Sequence, residues 1–164
     1  MRIAIAADHN GVLLKARLIE VLRAGGHKVD DRGAASHEDV VDYPPLCEDV
    51  CRRVADGRAD RAIVVGGSGQ GEVIACNKIA GIRAGLCPDV WHAEISRGNN
   101  DANVLVLGAK VIDAERAESV LDTWLSTPFK GDVHARRVAM IAALERGETL
   151  LGDGGRDDDQ PGCS

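Results

Sequence analysis

Two turns in this chain bring together residue types suited to acid–base chemistry on an anion: Asp8-His9-Asn10-Gly11, and Gly66-Gly67-Ser68-Gly69-Gln70-Gly71-Glu72. The second has four glycines in positions 66–71 and runs into a helical pattern, so its backbone N–H groups can approach an anion without interference from a Cβ. It is not a Walker loop, because no Gly-Lys-Ser/Thr follows. Glu72 stands where G-x-G-x-x-G needs its third glycine, and Gln70 stands where G-x-S-x-G needs its last. A tight strand-to-helix turn is the plain alternative. Glu72 is favoured near a helix start by charge alone, but it also lies beside the candidate oxyanion nest. A base next to an anion hole points to proton abstraction beside a carbonyl. Asp8 and His9 read either as a helix cap and a surface imidazole or as groups for substrate hydroxyls and a phosphate. His134, Arg136 and Arg137 read either as a solvated helix face or as a local phosphate grip.

These turns need a scaffold, and the pattern around them is α/β. Strand-like runs at 2–7, 27–31, 61–66, 82–86 and 103–108 alternate with helical periodicity near 12–24, 44–55, 70–78, 90–98 and 113–125. A further helix is expected near 132–146, free to reach a partner. Leu14, Leu18, Val21 and Leu22 form one stripe, with Lys15, Arg17, Glu20 and Arg23 off it; Ala117, Val120, Leu121 and Trp124 form another. Nearly continuous apolar runs at 2–7, 61–66 and 103–108 predict a five-stranded parallel sheet covered on both faces. The expected strand order is 2-1-3-4-5. Both chemical turns then fall at the switch point between strands one and three.

The sequence has 20 Lys plus Arg against 26 Asp plus Glu, a formal charge of −6, which disfavours sequence-independent nucleic-acid binding. With only four aromatic residues, Tyr43, Trp91, Trp124 and Phe129, a base-stacking surface is not expected either. No apolar run is long enough for a bilayer, and residues 2–7 are too short for a signal-peptide core, so the expectation is a cytoplasmic protein without membrane contact. Five irregularly spaced cysteines read as reduced thiols, with Cys47 and Cys51 buried on one helix face rather than forming half a metal site. One domain is expected over 1–151. The Gly- and Asp-rich stretch 152–164 lacks periodicity and reads as a disordered tail.

Taken in order, the opening IAIAADHNG, Asp42-Tyr43-Pro44, the loop GGSGQGE, Asn77-Lys78, Gly81-Ile82-Arg83, and His134 with Arg137 resemble the ribose-5-phosphate isomerase B family, which includes the galactose-6-phosphate isomerase subunits. The resemblance extends to about residue 147. It implies a three-layer α/β/α sandwich, Rossmann-like or flavodoxin-like. It also implies cofactor-free and metal-free aldose–ketose isomerisation of a sugar phosphate, and a homodimer with shared active sites, further assembly to a tetramer being open. The family uses either a cysteine at the position of Gly66 or the glutamate of Gly-Gly-Ser-Gly-x-Gly-Glu as base. This chain follows the second pattern. Glu72 is then the general base, Ser68 and the N–H groups of Gly67, Gly69 and Gly71 stabilise the enediolate, and Asp8 orients hydroxyls. Tyr43, Asn99, Asn100 and Lys110 join the substrate site, while His9, His134, Arg136 and Arg137 hold phosphate. Cys76 has no precedent as base.

Three positions depart from the family pattern. Asn99 stands where a ring-opening histidine is usual, Val133 where an arginine often meets phosphate, and Lys110 where another arginine is usual. An amide cannot exchange protons near neutrality as an imidazole does. Ribose 5-phosphate is the first expectation. A tetrose 4-phosphate, which cannot close a furanose through its blocked oxygen, is the alternative, with a hexose 6-phosphate or a non-catalytic sugar-phosphate-binding subunit behind it.

Overall fold

The computed structural model describes residues 1–151; the expectation of a disordered tail at 152–164 lies outside the described residues. Eleven elements follow one another: β1 (Arg2–Ala7), α1 (Val12–Ala24), β2 (Lys28–Gly33), α2 (Tyr43–Ala55), β3 (Arg61–Gly66), α3 (Gln70–Cys76), β4 (Ala84–Leu86), α4 (Val90–Gly98), β5 (Val104–Gly108), α5 (Ala114–Ser126) and α6 (Asp132–Glu145). All four strand pairings are parallel, in register Ile5↔Ile63 between β1 and β3 and Val64↔Val106 between β3 and β5.

Alternation along the strands builds the three layers. Ile3, Ile5, Ile63, Val65, Leu105 and Leu107 face α1 and α5, whereas Ala4, Ala6, Ala62, Val64, Val104 and Val106 face α2 and α3. Side chains are buried on both faces, which is why these strands are apolar without interruption. The α5 stripe is buried as its spacing predicts, and Trp124 anchors it, with Nε1–H donating to Ser96 Oγ at 3.3 Å. Truncating a buried tryptophan of this kind costs about 3–5 kcal/mol.

The strand order is β2-β1-β3-β5-β4, which corrects the expected order at its last two places. The reason is physical. VLVLG of β5 is buried along its whole length and needs neighbours on both sides, while β4 pairs over only three residues, all half-buried, and takes the edge. At the opposite edge, β2 carries Asp30, Asp31 and Arg32 exposed. The β1–β3 crevice is unaffected by the correction.

Lys15 also departs from expectation: it is buried rather than off the stripe. Its Nζ donates to Asp31 Oδ1 at 2.6 Å and to the carbonyls of Arg32 and Ala34 at 3.0 and 2.9 Å. With every ammonium proton placed, burial of the charge is compensated, and the segment leaving β2 is fastened to α1. No helix among the described residues is long and apolar enough to cross a membrane. In contrast to α1–α5, α6 has no buried residue.

Candidate active site

At the carboxyl end of β1 the chain turns sharply, with Asp8 N–H on the Val65 carbonyl (3.2 Å) and Gly11 N–H on the Asp8 carbonyl (3.1 Å). The Asp8 carboxylate folds back on this turn. Its Oδ1 accepts from the N–H groups of Asn10 (2.8 Å) and Gly11 (3.1 Å), and its Oδ2 accepts from Asn10 Nδ2 (3.0 Å). Asp8 is therefore a buried organiser of the loop, not a helix cap: α1 starts from Gly11 without a side-chain cap. Asn10 Nδ2 also contacts His9 Nε2 at 3.1 Å. His9 Nδ1 is buried without a partner.

Next to it, β3 ends at Gly66 and the glycine loop leads into α3. Gly69 caps that helix at φ +79°, a left-handed conformation that glycine adopts without strain. Glu72 is 4% exposed, in the first turn of α3. Its carboxylate occupies the space where a Cβ on residue 66 would stand, so only glycine at 66 leaves room for it. The carbonyls of Gly66 and Gly67 are taken by the N–H groups of Ala109 (2.8 Å) and Lys110 (2.9 Å), which fixes the loop from the β5 side. Ser68 is exposed, its Oγ accepting from Gln70 N–H at 3.3 Å. The hydroxyl of Tyr43, the first residue of α2, lies over Gly71.

Cys76, four residues beyond Glu72, is buried in the core. Hydrogen bonding to the Cys47 and Cys51 thiols, followed by burial, pushes its thiol far above the ordinary thiol range, so it is unsuited to act as a base. The Cys47 thiol also approaches the Glu72 carbonyl at 3.8 Å, packing this cluster directly against α3. Burial likewise raises Cys87, to about 12.

The remaining sequence-selected residues lie elsewhere in the same chain. Helix α4 runs back from the end of β4 to the start of β5, so Asn99 and Asn100 sit at the amino end of the sheet. There Arg83 donates to the carbonyls of Asn100 (3.1 Å) and Asp101 (3.0 Å). Arg97, buried beneath this turn, bonds Asp101 Oδ1 at 2.8 Å and lies 5.5 Å from the Trp124 ring centroid. Helix α6 is fastened at this same end. Lys130 N–H, just before it, donates to the Gly98 carbonyl (2.9 Å), and Glu145 at its close accepts from Gly81 N–H (3.0 Å). His134, Arg136 and Arg137 therefore belong to the amino end. The six residues of β3 put about 17 Å between the two ends. Asn99 Oδ1 is buried without a partner, as His9 Nδ1 is at the other end.

The family model for ribose/galactose isomerase matches residues 3–141. The chain belongs to that family. It is an aldose–ketose isomerase by this membership and by its relatives. It is 40% identical over 145 residues to ribose-5-phosphate isomerase B of Escherichia coli (strain K12), covering 88% of this chain and 97% of that one. Ribose-5-phosphate isomerase B of Mycobacterium tuberculosis (strain H37Rv) is 37% identical over 147 residues, covering 89% and 91%. Among solved structures, that of Clostridium thermocellum ribose-5-phosphate isomerase B superposes with a TM-score of 0.88 at 41% identity, covering 90% of this isomerase and 99% of that chain.

The candidate groups chosen from the sequence in both turns lie together at the carboxyl ends of β1 and β3, but sequence reasoning passed over Asn10, read only as a turn residue, and Lys15. The signal for Asn10 was a side-chain amide flanked by an acid and an imidazole. For Lys15 it was a position directly following the buried Leu14.

Proposed function

We propose that this isomerase interconverts an aldose phosphate and its ketose through a cis-enediolate, with Glu72 as the general base and ribose 5-phosphate as the aldose. The observation that carries this reading is the Glu72 carboxylate, buried against Gly66 beneath the glycine loop at the β1–β3 crevice. Glu72 removes the proton from C2 and returns it to C1, while the C2 hydroxyl proton passes to the C1 oxygen, so no hydride acceptor is required. The N–H groups of Gly67, Gly69 and Gly71 and the Ser68 hydroxyl line the place where the enediolate oxygen charge develops. Asp8, Tyr43 and Lys110 position the sugar at the same end.

The phosphate grip of His134, Arg136 and Arg137, together with Asn99 and Asn100, comes in this reading from a second copy of the chain. Its amino end then meets the carboxyl end of the first. In support, α6 leaves Val133, Met140, Ile141 and Leu144 exposed, and each end holds one buried polar atom without a partner. A homodimer with two shared sites satisfies both. The free thiols Cys47, Cys51, Cys76 and Cys87 accord with a cytoplasmic setting.

Asn99 favours a second substrate, a tetrose 4-phosphate, because an amide cannot serve as proton shuttle for ring opening. The deciding experiment compares kcat/KM of the purified protein for ribose 5-phosphate and erythrose 4-phosphate. A preference for the pentose is the expected result; a preference for the tetrose reassigns the substrate, and activity on neither overturns the isomerase reading for both.

A further inference from the structure

The Asp8–Asn10–His9 contacts form a directed chain. A carboxylate oxygen only accepts, so Asp8 Oδ2 at 3.0 Å requires Asn10 to present its NH2 group, not its carbonyl, on that side. The same nitrogen lies 3.1 Å from His9 Nε2 and has a second proton to give. A proton on Nε2 would set two donors against each other, so that ring nitrogen must accept. In a neutral imidazole the other nitrogen then carries the hydrogen. That other nitrogen, Nδ1, is buried and has no protein partner. Asn10 is held from behind as well: its Cγ and Nδ2 lie 3.4 Å from where a Cβ on Gly67 would stand, so the amide is wedged between the two chemical turns.

We propose that Asn10 is a positioning residue that uses the fixed Asp8 carboxylate to lock His9 as the Nδ1–H tautomer, offering that proton to an oxygen of the sugar phosphate. The tautomer follows from the contacts alone; the acceptor rests on the isomerase reading above. A free histidine side chain favours the proton on Nε2, so the lock reverses the ordinary preference and gives the site a neutral donor of fixed direction. The buried Nδ1 needs such a partner, because an unpaired donor of this kind is costly.

The test reads the two parts separately. Long-range proton–nitrogen correlation spectra of substrate-free protein carrying nitrogen-15 histidine report which ring nitrogen of His9 is protonated, whatever the enzyme's substrate. The expected signature is Nδ1–H in the unaltered protein and Nε2–H in Asn10→Asp, an isosteric change that accepts where the amide donates. Asn10→Ala removes the lock and is expected to return His9 to the free preference. Both variants are expected to lose roughly tenfold in kcat/KM, the scale of one misdirected hydrogen bond. An Nε2–H signature in the unaltered protein, or an Nδ1–H signature that survives both substitutions, overturns the proposal. A changed tautomer with unchanged kcat/KM overturns the assignment of a substrate oxygen as acceptor. Absence of turnover by the unaltered protein speaks against the isomerase reading, and the spectra still decide what Asn10 does.

Discussion

The two ends of the sheet are built on different terms. At the carboxyl end, Asp8, Asn10, Gly66 and Glu72 lie within interlocked turns, and the buried Lys15 binds the neighbouring segment with three hydrogen bonds. At the amino end, Arg83 and Arg97 shape the turn after α4, but α6 crosses this end without burying any residue. One end is finished within a single chain except for His9 Nδ1; the other presents Arg136, Arg137 and apolar side chains exposed on α6. In the proposed reaction, the first end would carry the base and the second, from another copy, the phosphate grip.

The strongest way to break this comparison is Glu72→Gln. If the finished end carries the chemistry, turnover and exchange of the substrate C–H proton with solvent fall by at least about a thousandfold, the upper part of the range for a positioned general base. Binding of inorganic phosphate stays within a fewfold. Exchange measured in deuterated water is the direct check, and exchange at the original rate would remove Glu72 from its role.

A second substitution examines the unfinished end. His134→Ala with Arg137→Ala is expected to raise KM by roughly a hundredfold while kcat changes less, because charge-assisted phosphate contacts are each worth about 1.5–3 kcal/mol and serve binding. Mixing this variant with Glu72→Gln in equal amounts, after unfolding and refolding together, provides the sharper result. Half the dimers are then mixed, and each mixed dimer has one intact site, so about a quarter of the unaltered activity returns if the two ends come from different copies. No recovery would mean that each chain builds its site alone.

These ends were not equally legible in the sequence. The glycine loop and Glu72 stood out because few backbones need such a run of small residues beside an acid, and the β1–β3 crevice followed from the apolar strands. The separation of His134, Arg136, Arg137, Asn99 and Asn100 from Glu72 was foreshadowed only by the shared sites that the family resemblance implies, not by the residues themselves. It depends on which end of the sheet a helix terminus reaches, a property of the assembled layers. The exchange of β4 and β5 was missed because strand order is set by competition for the buried interior, where VLVLG displaces the three-residue pairing of β4. Lys15 was read as surface because charge usually marks an exposed position; its burial depends on acceptors sixteen to nineteen residues away.

Lys15 also supplies a stability contrast. Lys15→Met keeps most of the buried stem but strips a proton donor from Asp31 and from the carbonyls of Arg32 and Ala34. The expected cost is about 2 kcal/mol, or a fall in Tm of roughly 4–8 °C for a chain of this size, read by thermal unfolding. Loss of order in the segment leading to Tyr43 should accompany it, visible as faster amide exchange after β2. Unchanged stability would mean that the ammonium's bonds merely offset its burial.

The smallest expected effect lies at the amino end, where Asp60 meets Arg2 through Arg2 N–H (2.7 Å) and its guanidinium (2.5 Å), bringing together the starts of β1 and β3. The side-chain hydrogen bond from Arg2, then its backbone N–H, hold the Asp60 carboxyl down at about 2. Because the folded value lies below the unfolded one, the unfolded state takes up the proton first as acid is added. The pair's contribution is present in full above the ordinary carboxylate value and disappears as pH falls from about 4 to about 2. Asp60→Asn should flatten this part of the stability–pH curve while leaving neutral activity within twofold, since both groups lie away from Glu72. The effect should shrink in high salt, as expected of a solvent-exposed pair. A curve identical to that of the unaltered protein between pH 4 and 2 would show that the strand starts are held without this contact, leaving backbone pairing and the buried layers to fix the end on which α6 rests.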